Sequence, residues 1–207
     1  MNQPIKLYSF VPFDRGGRVR WLAHELGLAV EEHRLDYAGG EHRRFPHLGR
    51  HPFGLVPAIE VDGQSRWESV AICQSLAEQH PEAGLTVPLA APERASYLSW
   101  LFFAASTFDC AAFRVFNFAA LKPDETRRKE AQGELLPMLV QLARHLEKRE
   151  HLLGDAFMLP DLVLGYSMQL LYLVQALDEL PALLAYRKRL AARPAARAAR
   201  MFTPRPG

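Results

Sequence analysis

The sequence predicts a small α/β layer with a mixed sheet, followed by an all-helical bundle. Three observations carry this. From residue 4 to about residue 80, short β-prone runs alternate with helical spacing. The next stretch, "HPEAGLTVPLAAPERAS", holds three prolines and a glycine and reads as a linker. Beyond it apolar residues recur at helical spacing and no run reads as a strand. The expected boundaries are 1–80 for the first domain, 81–92 for the linker and 93–207 for the helical domain.

The elements follow in order. "IKLYSF" is a compact β-prone run. After the pair Gly16-Gly17, Val19, Leu22, Ala23 and Leu26 keep helical spacing, and Gly27 stops the helix. "VEEHRL" is a weaker second strand. "PAIEVDGQSRW" reads as two strands joined at Asp62-Gly63, a pair suited to a tight hairpin turn. "ESVAICQSLAEQH" is a helix ended by Pro81. In the second half, Leu98, Leu101, Phe102, Ala105 and Phe108 fall on one predicted helical face, and Leu135, Leu139, Leu142 and Leu146 on another. An apolar helix after Pro160, a helix from Pro181 and a short "RPAARAAR" helix complete the bundle.

Composition narrows the function. Hydrophobic residues make up 49% of the 207-residue chain and the net charge is only +2, which argues for an ordinary full core and against a nucleic-acid partner. The basic "RKRLAARPAARAAR" reads as a solvated helix face. The two cysteines, Cys73 and Cys110, stand far apart without metal-ligand spacing, so neither a disulfide framework nor a metal site is expected, and a reducing cytoplasmic setting is. The start, "MNQPIKLYSF", lacks a signal-peptide pattern. The most apolar window, "LPDLVLGYSMQLLYLVQAL", is broken by Pro160, Asp161, Gln169 and Gln175, and reads as a core helix rather than a membrane span.

Ligand chemistry concentrates in "HPFGLVPAIEVDG" and "WESVAICQSLAE". Pro57 pushes Val56 into the extended region and opens a strand, which leaves the Val56 backbone free to pair with an extended peptide-like ligand. Glu68 and Ser69 stand at a helix start, where a hydroxyl and unpaired N–H groups suit a carboxylate and a glutamate suits an ammonium. Alone, that pair reads as a helix cap. Joined to the Val-Pro step, it suits a small ligand with a peptide backbone and an α-amino-acid end, such as glutathione.

On these motifs the chain resembles the cytosolic glutathione transferases over nearly its whole length. "HPFGLVPAI" is similar to the family's N-P-x-G-x-V-P-A-L stretch and "ESVAI" to its E-S-x-A-I motif. "HLLGDAFMLPDLVLGY" resembles the start of its core helix, and "YRKRLAARPAARAA" its C-terminal R-P pattern. The resemblance implies a thioredoxin-like N-terminal domain plus an all-α C-terminal domain, with a homodimer as the assembly. It implies a cis Pro57, a Val56 that pairs with the cysteinyl backbone of glutathione, and Glu68 and Ser69 on its γ-glutamyl end. It also implies that Asp161 caps the core helix, although Met158 stands where the partner hydroxyl is expected.

Three departures bear on mechanism. His51 replaces the family's asparagine. Leu55 stands where a lysine often meets the glycyl carboxylate, leaving Arg44, His42 and Arg50 as candidate cations. In serine- and cysteine-type members the catalytic residue lies six positions before the valine of the R-V-R helix start, which here is Phe13, followed by Asp14. Ser9 aligns roughly with the tyrosine of tyrosine-type members; Arg15, Arg18 and the helix N-terminus are the other candidates for stabilising a thiolate. Asp14 is expected to face solvent or pair with an arginine. The function implied is conjugation of glutathione, as co-substrate, to a small hydrophobic electrophile, with Phe103, Phe108 and Phe113 as pocket walls and no metal, nucleic acid or membrane involved. A non-catalytic glutathione or partner binder is the alternative; a glutathione-dependent isomerase ranks below, because its hydroxyls are replaced by Phe13 and Asp14.

Overall fold

The computed structural model describes residues 4–10 and 14–205. The first part opens with β1 (Ile5–Ser9), α1 (Gly16–Glu25) and β2 (Val30–Arg34). β2 pairs parallel to β1, with Ile5 opposite Val30, and α1 supplies the crossover that a parallel pair requires. A 3₁₀ turn at Glu41–Arg43 and the single-turn α2 (His47–Arg50) lead to β3 (Ala58–Val61), which runs antiparallel to β1. β4 (Gln64–Trp67) folds back on β3 through Asp62 and Gly63, whose φ values of 50° and 75° give the mirror-image turn that matches strand twist. α3 (Ser69–Glu78) follows. The sheet order is β2-β1-β3-β4.

Side-chain alternation along β1 divides this unit into layers. Ile5, Leu7 and Ser9 face one way and Tyr8 the other. On the Leu7 side α1 and α3 pack together through Val19, Leu22, Ala23, Ile72 and Leu76, all buried. On the Tyr8 side sits α2, with the Arg50 guanidinium 4.0 Å from the Tyr8 ring centre.

The second part is helical. A continuous run comprises α4 (Arg94–Phe102), a wider π-type stretch at Phe103–Phe108, α5 (Asp109–Phe116) and another π-type stretch at Asn117–Leu121. α6 (Glu125–Leu146), α7 (Leu159–Leu173) and α8 (Pro181–Ala192) complete it. Every residue of α7 from Leu159 to Leu171 is buried, as expected of a core helix. Among the described residues no helix is long and apolar enough to cross a membrane.

Packing groups the described residues up to 83 with 194–201, and residues 84–193 with those from 202 to 205. α9 (Pro194–Ala198), which the sequence places with the helical domain, packs on α1 in the first group.

Two expectations about the helical run are corrected. Its buried face is Tyr97, Leu101, Ala104 and Phe108, one position round from the face counted through Leu98, so Phe102 is 61% exposed. Phe108 is wholly buried in the core and walls no open pocket.

Asp161 ties the bundle together from a fully buried position. One carboxylate oxygen accepts the Met158 N–H (3.0 Å); the other accepts the Leu152 N–H (2.9 Å) and the Tyr186 hydroxyl (2.7 Å). The carboxylate therefore holds the helix start even though Met158 brings no hydroxyl. Burial beside Asp161 pushes the Tyr186 phenol well above its ordinary range. Asp161→Ala strips the acceptor from three donors at roughly 1–3 kcal/mol each, so urea unfolding should show a loss of about 3 kcal/mol or more, and Tyr186→Phe a loss of about 1 kcal/mol. An Asp161→Ala midpoint equal to wild type would refute this account of the bundle.

Candidate functional site

The turn between β1 and α1 is organised by a carboxylate. Asp14 accepts the Phe10 N–H and the Gly16 N–H, each at 2.7 Å, while its own carbonyl accepts the Gly17 N–H at 2.9 Å. Asp14 thereby occupies the anion position that a helix N-terminus offers, a role that the expectation of solvent or an arginine did not include. Phe13, at the family's catalytic position, lies outside the described residues.

Glycine at position 16 is a packing requirement. A Cβ there would meet the Asp14 carboxylate at 2.7 Å, the Ser9 Cβ at 3.0 Å and the Pro57 Cβ at 3.7 Å. Ser9, Gly16 and Pro57, far apart in sequence, therefore meet at one point. Ser9 is 3% exposed at the end of β1.

The opening arginines divide by task. Arg20 is buried and grips Glu32 through two hydrogen bonds, 2.6 and 2.8 Å. Arg18 is also buried, and its Nη1 donates to the Ser69 hydroxyl at 3.3 Å, linking α1 to the start of α3. Arg15 is half-buried at the start of α1. Burial pushes the Cys73 thiol up to about 12 despite the charge of Arg18, so it carries no thiolate near neutrality. Cys110 is exposed.

Glu68 and Ser69 stand where β4 gives way to α3. The Glu68 carbonyl accepts the Ile72 N–H (2.9 Å), so Glu68 caps the helix with its backbone. Its φ of 67° and ψ of 109° are unusual for a residue with a side chain. Such strain, about 1–3 kcal/mol, persists only where the surroundings over-determine it and clusters at functional positions. Glu68 is exposed and Ser69 buried.

The Val56–Pro57 peptide is cis. Val56 is half-buried, and among the described residues neither its N–H nor its C=O has a hydrogen-bond partner. The carbonyl just before it, that of Leu55, is held by His47 Nε2 at 2.8 Å.

The three candidate cations differ. Arg50 donates to Glu60 (3.0 Å) and lies over Tyr8, so it is committed to the fold and is withdrawn as a carboxylate ligand. Arg44 is exposed and donates to the Gly39 carbonyl. His42 is buried, its ring stacked 5.1 Å from Tyr37 and edge-on to Phe10 at 5.0 Å; its Nδ1 has no partner among the described residues. Sequence reading missed His47 and the contact of Tyr8 with Glu60 (2.5 Å). The one available signal was the four-residue spacing of His47 and His51, which places both on one side of a helical turn. Among the described residues no group of histidines, cysteines and carboxylates could hold a metal ion.

The chain is similar to known proteins. Residues 3–78 fit the family model of the glutathione S-transferase N-terminal domain. Glutathione S-transferase F9 of Arabidopsis thaliana is 32% identical over 67% of this chain and 67% of its own length. Glutathione S-transferase PARB of Nicotiana tabacum is 31% identical over 62% of this chain, and the match spans 63% of the tobacco protein's length. The crystal structure of glutathione transferase URE2P6 from Phanerochaete chrysosporium, in complex with oxidized glutathione, covers 95% of this chain and 94% of its own at a TM-score of 0.85 and 25% identity. A thioredoxin-like sheet followed by a helical part is the architecture these proteins share. The chain belongs to the glutathione S-transferase family.

Two predictions follow from the local packing. Gly16→Ala forces the Asp14 carboxylate aside and should lower stability by about 1–3 kcal/mol in urea unfolding; an unchanged midpoint would show that the turn yields freely. His42 and His51 both lie below the ordinary value of 6.5, chiefly because burial disfavours the imidazolium. The unfolded chain therefore takes up these protons first. Stability is full above pH 6.5 and is lost as pH falls from there through the depressed folded values. The urea midpoint should drop as the pH falls below 6.5, and His51→Asn should flatten that drop; equal slopes for the two proteins would remove His51 from the account.

Proposed function

We propose that this protein is a glutathione transferase that presents the glutathione thiolate to a small hydrophobic electrophile. The observation that carries the reading is the unpaired Val56 peptide edge beside the meeting point of Ser9, Gly16 and Pro57. Val56 would pair with the cysteinyl backbone. Ser69, held by Arg18, and the strained Glu68 would take the γ-glutamyl carboxylate and ammonium. His42 and Arg44 remain for the glycyl carboxylate. This places the sulfur at the β1–α1 turn.

A free thiol has a pKa near 8.5 and needs a stabilising environment to react near neutrality. Ser9 would offer a hydroxyl, and Arg15 and Arg18 a positive field. The α1 dipole is already engaged by Asp14, so its help to a thiolate is reduced. A non-catalytic glutathione binder is the second reading, favoured by the absence of serine, cysteine, threonine or tyrosine from residues 10–20. We further propose a cytoplasmic homodimer; the exposed Phe53 and Leu55 supply apolar surface for a second copy, which light scattering would reveal.

Glutathione at about 100 times its Kd should stabilise the fold by about 2.7 kcal/mol, read as a rise in Tm. An unchanged Tm at millimolar glutathione would sink both readings. Turnover of a chlorodinitrobenzene-type electrophile separates transferase from binder. Ser69→Ala should weaken glutathione about tenfold or more, since it removes a hydrogen-bonding group and the Arg18 contact. Ser9→Ala should lower turnover only modestly, and its complete loss would make Ser9 the main thiol activator.

A further inference from the structure

The Leu55 carbonyl and the Val56 N–H belong to one peptide unit. That unit is planar, and it is trans, the cis bonds among the described residues being those before Pro46 and Pro57. Fixing the direction of the carbonyl therefore fixes the N–H, which points the opposite way. His47 Nε2 lies 2.8 Å from that carbonyl oxygen. A carbonyl only accepts, so Nε2 carries a proton. His47 is 1% exposed, and its Nδ1 has no partner among the described residues. The imidazole is thus spent on this one carbonyl.

The donor itself is anchored. His47 opens α2, a helix of four residues too short to hold itself in place. At its other end Arg50 donates to Glu60, and Glu60 accepts the Tyr8 hydroxyl at 2.5 Å. The Tyr8 ring carries the Arg50 guanidinium and stacks on the His33 ring, whose centre is 4.8 Å from its own. Residues from β1, β2 and β3 therefore seat α2. Gly54, at φ 61°, sets the loop so close to His42 that a Cβ would meet the His42 carbonyl at 2.7 Å. Both flanks of the Leu55–Val56 peptide are held.

We infer that His47 is a positioning residue for glutathione: through the Leu55 carbonyl it aims the Val56 N–H at the cysteinyl backbone. The hydrogen bond also polarises the peptide and makes the N–H a stronger donor. This rests on the proposed glutathione site, and the test separates the two.

The substitutions are His47→Leu, which fills similar space without a donor, and His47→Gln, whose amide N–H reaches the same carbonyl. Isothermal titration and steady-state kinetics with glutathione should show about tenfold weaker binding for His47→Leu, as a raised KM with kcat changed by about twofold or less. His47→Gln should stay within about threefold of wild type. The order parameter of the Val56 amide, measured by ¹⁵N relaxation without glutathione, should fall in His47→Leu and not in His47→Gln. That readout stands even if glutathione fails to bind, an outcome that overturns the function and leaves the His47–Leu55 link decided. Wild-type affinity and an unchanged Val56 order parameter in His47→Leu, or equal damage in both variants, overturn the inference. Should His47→Leu not fold, the ¹⁵N shifts of His47 in the wild-type protein decide: an Nδ1–H tautomer contradicts it.

Discussion

The two-residue period of β1 is the constraint on which the rest depends. β1 pairs with both the parallel partner β2 and the antiparallel partner β3. Its alternation sends Ser9 toward α1 and Tyr8 toward α2. A slip of one residue would exchange them. Ser9 would leave Gly16 and Pro57, Tyr8 would leave Glu60 and Arg50, and both the β1–α1 turn and the Leu55–Val56 loop would lose their supports.

Carboxylates do comparable work in the two parts of the chain. Asp14 gathers N–H groups from Phe10 and Gly16 where β1 turns into α1. Asp161 gathers those of Leu152 and Met158, with the Tyr186 hydroxyl, where α7 begins. Each turn presents donors to a single side chain, and the fixed geometry comes from acceptors that satisfy more than one donor. A buried carboxylate so engaged is better placed as a structural tie than as a proton carrier.

What the sequence made legible was local. The Asp62-Gly63 hairpin, the helix after Ser69 and the apolar α7 depend on turn chemistry and periodicity within a few residues, and each lies where those signals put it. The glutathione motif was legible because its parts fall in a fixed order along the chain. The roles of Arg50, Asp14 and His47 were not. Arg50 is claimed by Glu60 and Tyr8, which lie elsewhere in the sequence, and the motif gives no rule for that contest. Asp14 takes backbone N–H groups, which every residue has and no sequence pattern marks. His47 acts on a carbonyl for the same reason invisibly. Phe102 shows the limit of periodicity: one step of phase in a helix moves an aromatic ring from interior to surface.

Cys73 gives the molecule a property that belongs to neither fold nor catalysis. With its thiol buried and pushed up to about 12, it carries no thiolate near neutrality. Cys110, on α5, is the chain's other cysteine and the exposed one. A maleimide dye added to the folded protein would mark the helical part at a single position and leave the thioredoxin-like part unlabelled. The protein is in effect a ready-made one-site probe scaffold, with no engineered cysteine needed.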